Sequence, residues 1–325
     1  MPAHPVHSGR DVPAWQIWAA LLIVYIVWGS TYLAIRVVVE TMPPFLAAGI
    51  RFVVAGVVMS LILAIRNGPG SLRVTRGELA STALIGLLLL CIGNGGVSVG
   101  EQSVPSGLAA LVVGVIPLMV LLIRRFTGER VPGSALIGVT VGFVGLGVLV
   151  VPGGLDGSVN AYGMVALLVS ALAWSIGSFM SRRIPLPRNP LVSTAYQLLT
   201  GGLFLLLVAA PTGEWRFDAT KFSVASLASL AYLVVAGSLV AYTAYTWLLQ
   251  HAPISRVATY AYVNPVVAVV LGFFILNEPV TLAAGIGAVL IVASVAFAIW
   301  AESRVGDAGT HEPGAEPSAE AVSPG

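Results

Sequence analysis

Residues 28–56, WGSTYLAIRVVVETMPPFLAAGIRFVVAG, match residues 174–202, WSIGSFMSRRIPLPRNPLVSTAYQLLTGG, at an offset of 146 positions without a gap. The matching pairs are Trp28 with Trp174, Arg36 with Arg182, Pro44 with Pro190 and Gly56 with Gly202. Later pairs follow at offsets of 148 and 149, and they are Gln102 with Gln250, Pro105 with Pro253, Pro117 with Pro265, Glu129 with Glu278 and Gly138 with Gly287. The chain therefore holds two copies of one unit.

The composition of the chain indicates that its main solvent is lipid. Its 325 residues are 57% hydrophobic and 9% charged, with a mean hydropathy of +0.94, whereas soluble domains carry about 25% charged residues. A helix needs about 20 apolar residues to cross the hydrocarbon layer, and ten windows of the sequence qualify. They are 15–35, 45–65, 79–99, 104–123, 133–151, 162–181, 191–210, 223–249, 254–276 and 281–300.

Five windows fall in each copy of the unit, and an odd number of helices inserts the second copy in the opposite sense. We therefore predict an all-α membrane protein with ten transmembrane helices in two inverted five-helix repeats, an architecture typical of transporters. The predicted order is a cytoplasmic N-terminal tail, a first repeat, a second repeat and a disordered cytoplasmic tail. Their bounds are 1–14, 15–151, 162–300 and 301–325.

Basic residues predict the orientation of the chain, because cytoplasmic loops of membrane proteins carry an excess of Lys and Arg. With the N-terminus inside, Arg36, Arg216 and Lys221 lie outside, and Arg51 lies within the second helix. The other twelve basic residues lie inside, so both termini are predicted to be cytoplasmic. These twelve are Arg10, Arg66, Arg73, Arg76, Arg124, Arg125, Arg130, Arg182, Arg183, Arg188, Arg256 and Arg304.

Several function classes are disfavoured by the sequence. The net charge of +2 is spread over short loops, which argues against nucleic acid as a partner. The sole lysine, Lys221, stands outside any Walker-type phosphate loop. The sequence contains no His-Glu-x-x-His pair, and we predict no enzyme activity, no cofactor and no metal. The expected partners are the lipid bilayer and a small-molecule substrate, and a homodimer stays open.

Short motifs occur in a fixed order along both copies. They are Trp28-Gly29-Ser30-Thr31-Tyr32, Arg51-Phe52 followed by Ala55-Gly56, and the pairs Pro117 with Glu129 and Pro265 with Glu278. In order and doubled spacing they resemble the drug/metabolite transporter superfamily and, more narrowly, its ten-helix EamA-type permeases. The resemblance covers roughly residues 15–300. It implies a bacterial inner-membrane exporter of small metabolites, amino acids or drugs, with a central cavity between the halves, and it implies no particular substrate.

Polar residues follow one face of the third and of the eighth helix. They are Asn94, Ser98 and either Glu101 or Gln102 in the third helix, and Ser238, Tyr242, Tyr245 and Thr246 in the eighth. Asn94 and Ser98 match Tyr242 and Thr246 at the repeat offset. Polar groups in lipid are costly unless they find partners, so both faces should point to the bundle interior or a wet cavity. Hydrogen bonding between helices is the alternative for each single residue.

Aromatic and hydroxyl side chains in the first and sixth helices suit an organic solute with an apolar body. Trp28 and Trp174 lie over ten residues into their helices, deeper than a tryptophan that anchors a helix at the membrane interface. We therefore favour cavity lining over anchoring. The complete set predicted to bind substrate is Trp28, Thr31, Tyr32, Asn94, Ser98, Trp174, Ser178, Tyr242, Tyr245, Thr246, Tyr260 and Asn264.

Two prolines are predicted to serve as gating or hinge residues. Pro117 and Pro265 fall inside the fourth and ninth helical windows, where each removes a backbone hydrogen bond. Such a break can create a hinge or expose a carbonyl to the substrate, and a static kink is the alternative. Glu129 and Glu278 are predicted to cap the fifth and tenth helices.

Arg51 is the one basic residue well inside a predicted span, where a charge is costly. It could bind a substrate carboxylate, pair with Glu101 or Glu40, or extend toward the outer interface. No acidic residue lies near the middle of a predicted span. Arg51 and Glu101 are therefore the predicted charged residues near the outer mouth, and the coupling ion is left open.

Together these features predict a secondary transporter that exports small organic metabolites, such as amino acids or related compounds, or drugs. It would work by alternating access across the bacterial inner membrane. The rival interpretation is a non-transporting sensor or lipid-handling protein built on the same helical bundle. A transport measurement separates the two, since a sensor binds its ligand without moving it.

Overall fold

Ten long helical segments make up most of the part of the chain that the structure describes. The computed structural model describes residues 13–129, 131–155, 160–252, 254–257 and 259–308. The helices are α1 Ala14–Val39, α2 Pro44–Asn67, α3 Arg76–Gly100, α4 Ser106–Phe126, α5 Gly133–Leu155, α6 Ala161–Met180, α7 Pro190–Ala209, α8 Val224–His251, α9 Tyr260–Leu276 and α10 Leu282–Ala308. The described residues contain no strand, and the predicted all-α fold of ten helices in two five-helix repeats is confirmed.

The helices have the length and composition of membrane spans. Seven of them, α1–α4 and α6–α8, are long and apolar enough to cross a bilayer, and α5, α9 and α10 contain shorter apolar segments. Because short connections join successive helices, their ends alternate between two faces of the bundle. We call one of these the arginine face, and the other the opposite face. The arginine face carries Arg66, Arg73, Arg76, Arg124, Arg125, Arg182, Arg183 and Arg188.

The two repeats pack on each other through equivalent helices, α2 along α7 and α5 along α10. A Cβ atom placed on Gly56 of α2 would lie 2.7 Å from Cγ of Leu199 on α7. One placed on Gly138 of α5 would lie 2.9 Å from Cβ of Ala298 on α10. Glycines at these crossings let the helix backbones approach closely, which replaces the hydrophobic driving force that is missing in lipid.

The helix breaks differ from the predicted ones. α4 is interrupted between Ser106–Val113 and Ile116–Phe126. Pro117 therefore lies in the first turn of the second segment, where its missing N–H costs no helical hydrogen bond. Pro265 lies inside α9 as predicted, although α9 begins at Tyr260, after a separate short helix. The hinge role of both prolines stays a prediction.

The last helix runs past its predicted end. α10 continues to Ala308, whereas the disordered tail is predicted to begin at residue 301. Residues 1–12 and 309–325, which hold most of both predicted tails, lie outside the described residues. The predicted bounds of the two repeats stay a prediction.

Two glutamates bind partners other than the predicted helix ends. Glu278 accepts hydrogen bonds from the Ser106 amide at 2.8 Å, the Ser106 hydroxyl at 2.9 Å and the Gly107 amide at 3.2 Å. It therefore caps α4 of the first repeat and not α10, because the N-terminus of α4 is the one that packs against it. Glu129 pairs with Arg124 at 2.7 Å and with Arg183, so it joins the ends of α4 and α6.

Candidate substrate-binding cavity

Three helices contain π-helical turns in the described residues. These segments are Val24–Trp28 in α1, Leu87–Asn94 in α3 and Leu233–Tyr242 in α8. The segments in α3 and α8 correspond at the repeat offset, since Asn94 matches Tyr242. π-helical turns are rare and occur frequently at functional sites. All three segments end on a residue predicted to bind substrate.

A cavity lies where these turns meet. Its volume is about 60 Å³, several times the roughly 10–15 Å³ that a cavity needs to hold one water. The predicted site residues that line it are Trp28, Thr31, Tyr32, Arg51, Asn94, Trp174, Tyr242, Tyr260 and Asn264. Helices of both repeats therefore contribute to one site.

Aromatic rings form much of the cavity wall, with Trp28 at their centre. The Trp28 ring centroid lies 4.8 Å from that of Tyr245, 5.4 Å from that of Tyr260 and 5.6 Å from that of Trp174. Edge-to-face and tilted pairs of this kind contribute about 0.5–1.5 kcal/mol each beyond their buried area. Tyr245 itself is 2% exposed and supports the wall from behind. The wall is therefore apolar and held in place by ring contacts.

Arg51 is the one charged residue that lines the cavity in the described part of the chain. It is 4% exposed, so it does not extend to the interface. Its Nε donates to the Ser238 hydroxyl at 2.8 Å and its Nη1 donates to Asn94 Oδ1 at 3.4 Å. Among the described residues it forms no ion pair, so the alternative of a carboxylate partner does not hold there.

A layer of hydrogen bonds closes the cavity toward the arginine face. The pairs are Ser178 with Tyr245 at 3.0 Å, Tyr242 with Gln197 at 2.6 Å and Thr194 with Thr246 at 2.7 Å. Of the residues predicted to bind substrate, Ser178, Tyr245 and Thr246 lie in this layer and do not line the cavity. Beyond the layer is a vestibule of about 390 Å³ that Arg182 and Arg188 help to line.

Tight packing closes the opposite face. The space left between α1, α2, α3 and α8 is about 10 Å³, which is close to the lower limit for a single water. Ser98, predicted to bind substrate, lines this space and not the cavity. Thr41 donates to the Ser226 hydroxyl at 2.8 Å, and Ser226 donates to the Val37 carbonyl at 2.7 Å. These bonds join the first turn of α8 to the end of α1.

Glu101 lies directly after the end of α3, apart from Arg51. Its side chain is buried, and neither carboxyl oxygen has a hydrogen-bond partner among the described residues. Arg36 donates to the main-chain carbonyl of Glu101 and not to its carboxyl group. Burial and the nearby Glu278 raise the pKa of Glu101 well above its usual range, and Arg36 opposes that shift. The carboxyl group therefore favours its neutral form.

We expect the Glu101→Gln variant to gain stability over the wild type as the pH rises from 5 to 7. The unfolded carboxyl loses its proton near its usual pKa of about 4.3, whereas the folded one keeps it to higher pH. The wild-type free energy of unfolding therefore falls through this window by up to about 1.4 kcal/mol per pH unit. Thermal unfolding in detergent at three pH values measures the difference, with exposed Glu40→Gln as control. A pH-independent difference would mean that folded Glu101 is ionised.

Besides apolar residues of the cavity wall, two polar residues and one glycine of the site escaped the sequence analysis. Ser170 and Gly237 line the cavity, and Gln197 holds Tyr242 in the closing layer. Ser170 precedes Trp174 by one helical turn, and that spacing is a signal for it. Gln197 is an amide inside an apolar helix, which is also a signal. Gly237 has no side chain to mark it, although its carbonyl accepts a hydrogen bond from Trp28 Nε1 at 3.3 Å.

Known proteins are similar to this chain in sequence and in fold. A sequence profile described as the EamA-like transporter family matches residues 14–151 and again residues 161–300. The uncharacterized inner membrane transporter YedA of Escherichia coli (strain K12) is 38% identical over 257 residues, covering 79% of this chain and 81% of its own. The probable amino-acid metabolite efflux pump of the same strain is 26% identical over 279 residues, covering 83% and 90%. One crystal structure, 20% identical, superposes with a TM-score of 0.63 over 89% of this chain and 98% of its own, which indicates a common fold.

Proposed function

The chain belongs to the EamA-like transporter family, and on that premise we propose that it exports small organic metabolites, amino acids or related compounds, or drugs. The resemblance seen in its motifs is thereby confirmed, and the protein is a membrane transporter of the drug/metabolite transporter superfamily. The observation that carries the finer proposal is the aromatic cavity, which both repeats line and which lies between the hydrogen-bonded layer near the arginine face and the packed helices near the opposite face. A site of this kind suits a solute that is held midway and released to either side.

Alternating access is the mechanism that these parts support. Inverted repeats make two arrangements of one bundle nearly equal in energy, so that the same site can open to each side in turn. The closing layer on one side consists of three hydroxyl contacts, and each of these contributes about 1 kcal/mol net. Layers of that strength can open and close on the timescale of transport.

Orientation supports export. Because cytoplasmic loops are enriched in arginine, we assign the arginine face to the cytoplasm, with both termini on that side. The wide vestibule would then receive a solute from the cytoplasm. The relative described as an amino-acid metabolite efflux pump supports the same direction.

Transport by inside-out vesicles or proteoliposomes tests the proposal. We expect the wild type to accumulate members of a panel of amino acids and amphipathic drugs, and we expect Trp174→Ala to reduce the rate at least tenfold. Trp174 lines the cavity wall, so its removal takes away ring contacts and shape. Trp18→Ala is the matched control, since Trp18 lies on α1 with 58% of its surface exposed.

Two outcomes would contradict the proposal. Equal loss in Trp174→Ala and Trp18→Ala would mean that the cavity is not the site. If no solute moved in correctly inserted protein that still binds a ligand, the sensor or lipid-handling interpretation would replace transport.

A further inference from the structure

We propose that Arg51 selects the charge of the transported solute, so that the cavity accepts a small molecule with one carboxylate and rejects organic cations. The proposal rests on the proposed function for the transport it serves, but the site can be tested by binding alone. The observation behind it is a buried guanidinium group that faces the cavity without an acidic partner in the described residues.

The guanidinium group is held so that part of it remains available. Nε is bound by Ser238 and Nη1 by Asn94, and the Phe52 ring centroid lies 4.7 Å from Cζ. These are neutral partners, which fix the direction of the group and leave its charge uncompensated. A guanidinium has five N–H donors in a planar fork that matches a carboxylate.

The third guanidinium nitrogen of Arg51, Nη2, lies beside a glycine. A Cβ atom placed on Gly237 would lie 2.8 Å from Nη2 of Arg51 and 3.2 Å from Cγ2 of Thr31. Without a side chain at this position, the guanidinium group can lie against the backbone of α8, and no side chain of residue 237 covers Nη2. Gly237 and Arg51 both line the cavity, so the glycine and the arginine border the same space.

The charge balance of the cavity decides the class of solute. Among the described residues no aspartate or glutamate lines it. A buried cation without a counter-ion is costly, and a ligand carboxylate would supply the missing charge. An organic cation would add a second positive charge to the same enclosed space, where the low dielectric strengthens the repulsion.

The size of the cavity and its aromatic wall narrow the class of solute further. A cavity of about 60 Å³ restricts the solute to a small molecule. The ring faces of Trp28 and Trp174 can pack an apolar body or attract an ammonium group. Both a zwitterionic amino acid and a simple monocarboxylate therefore fit, and the carboxylate is what they share.

Ligand binding to the purified full chain tests the proposal with matched compounds. Each set contains an amino acid, the same molecule without its amino group and the same molecule without its carboxylate: alanine, propionate and ethylamine form the first set, and valine, isovalerate and isobutylamine form the second. Thermal shift and tryptophan fluorescence measure affinity without the bilayer leakage that affects the small acids and amines. The wild type should bind a carboxylate-bearing member of at least one set at least tenfold more tightly than the matched amine.

Variants of Arg51 then separate charge from structure. Arg51→Gln should lose at least tenfold of the affinity for the carboxylate compounds, with no loss for the amines. Arg51→Lys keeps the positive charge but lacks the planar guanidinium group. Its affinity for the carboxylate compounds should therefore lie between those of the wild type and Arg51→Gln. If Arg51→Gln does not fold, Arg51→Lys and the comparison of acids with amines in the wild type still test the proposal.

The possible results are distinct. Preference for valine over isovalerate would assign the ring faces to an ammonium group, and the reverse preference would assign the site to monocarboxylates. The proposal is overturned if the amines bind as tightly as the acids, if Arg51→Gln binds the acids normally, or if none of the six compounds binds. Carboxylate binding without transport would support this site and refute the proposed function. Transport of cations that does not depend on Arg51 would support the proposed function and refute this site.

Discussion

A disulfide between cysteines at positions 41 and 226 is expected to stop transport completely, and reduction should restore it. The Thr41 and Ser226 hydroxyl oxygens lie 2.8 Å apart, so sulfur atoms in their place come within reach of a bond about 2.05 Å long. The bond would join the link after α1, in the first repeat, to the start of α8, in the second. If the opposite face opens by separation of these elements, the locked protein cannot release its solute there.

The measurement uses the double variant Thr41→Cys with Ser226→Cys in proteoliposomes. The single native cysteine, Cys91, is buried, and it is replaced by alanine so that no other pairing occurs. Transport is compared before oxidation, after oxidation and after reduction, and both single-cysteine variants serve as controls. Undiminished transport in protein that is fully disulfide-bonded would show that the opposite face opens elsewhere or does not open.

Gly237→Val is expected to abolish solute binding and to lower transport by more than tenfold. Its Cβ would lie 2.8 Å from Nη2 of Arg51 and 3.2 Å from Cγ2 of Thr31, and its two methyl groups would occupy part of a cavity of about 60 Å³. The variant therefore removes the space beside the guanidinium group without removing any polar partner. Uptake assays and thermal shift with the best-bound compound measure the two effects.

Gly147→Val is the matched control for this variant. Gly147 is also a helical glycine, and a Cβ atom there meets no other atom within 4 Å, so binding and transport should stay at wild-type levels. Gly237→Ala should give an intermediate loss, because it adds one methyl group. Normal binding in Gly237→Val would mean that the solute does not occupy the space beside Arg51.

Features that depend on one stretch of chain could be predicted from the sequence. The depth of Trp28 and Trp174 in their helices is a matter of counting residues, and both line the cavity. The polar positions Asn94 and Tyr242 follow from helical periodicity and the repeat. The same periodicity could not decide between Glu101 and Gln102, because α3 ends at Gly100 and a turn follows it. In the fold Glu101 is buried and Gln102 is exposed.

Periodicity also assigned more residues to the cavity than line it in the structure. It places Ser98 and Thr246 on the same faces as Asn94 and Tyr242, but one helical turn of rise moves each of them about 6 Å along the bundle. Ser98 thus lies in the packing of the opposite face, and Thr246 lies in the layer that closes the arginine face. A helix face says which direction a residue points and not which layer of the bundle it reaches.

The sequence by itself determined the membrane class, the two repeats and the aromatic composition of the site, because apolar length, repeat offset and residue type are properties of the chain read in one dimension. Only the tertiary structure decided that Arg51 binds Ser238, 187 residues away, and that Glu278 caps α4 at Ser106, 172 residues away. The physical reason is that the partner of a buried polar group is the nearest group that can satisfy it, and nearness is set by how helices of different repeats pack.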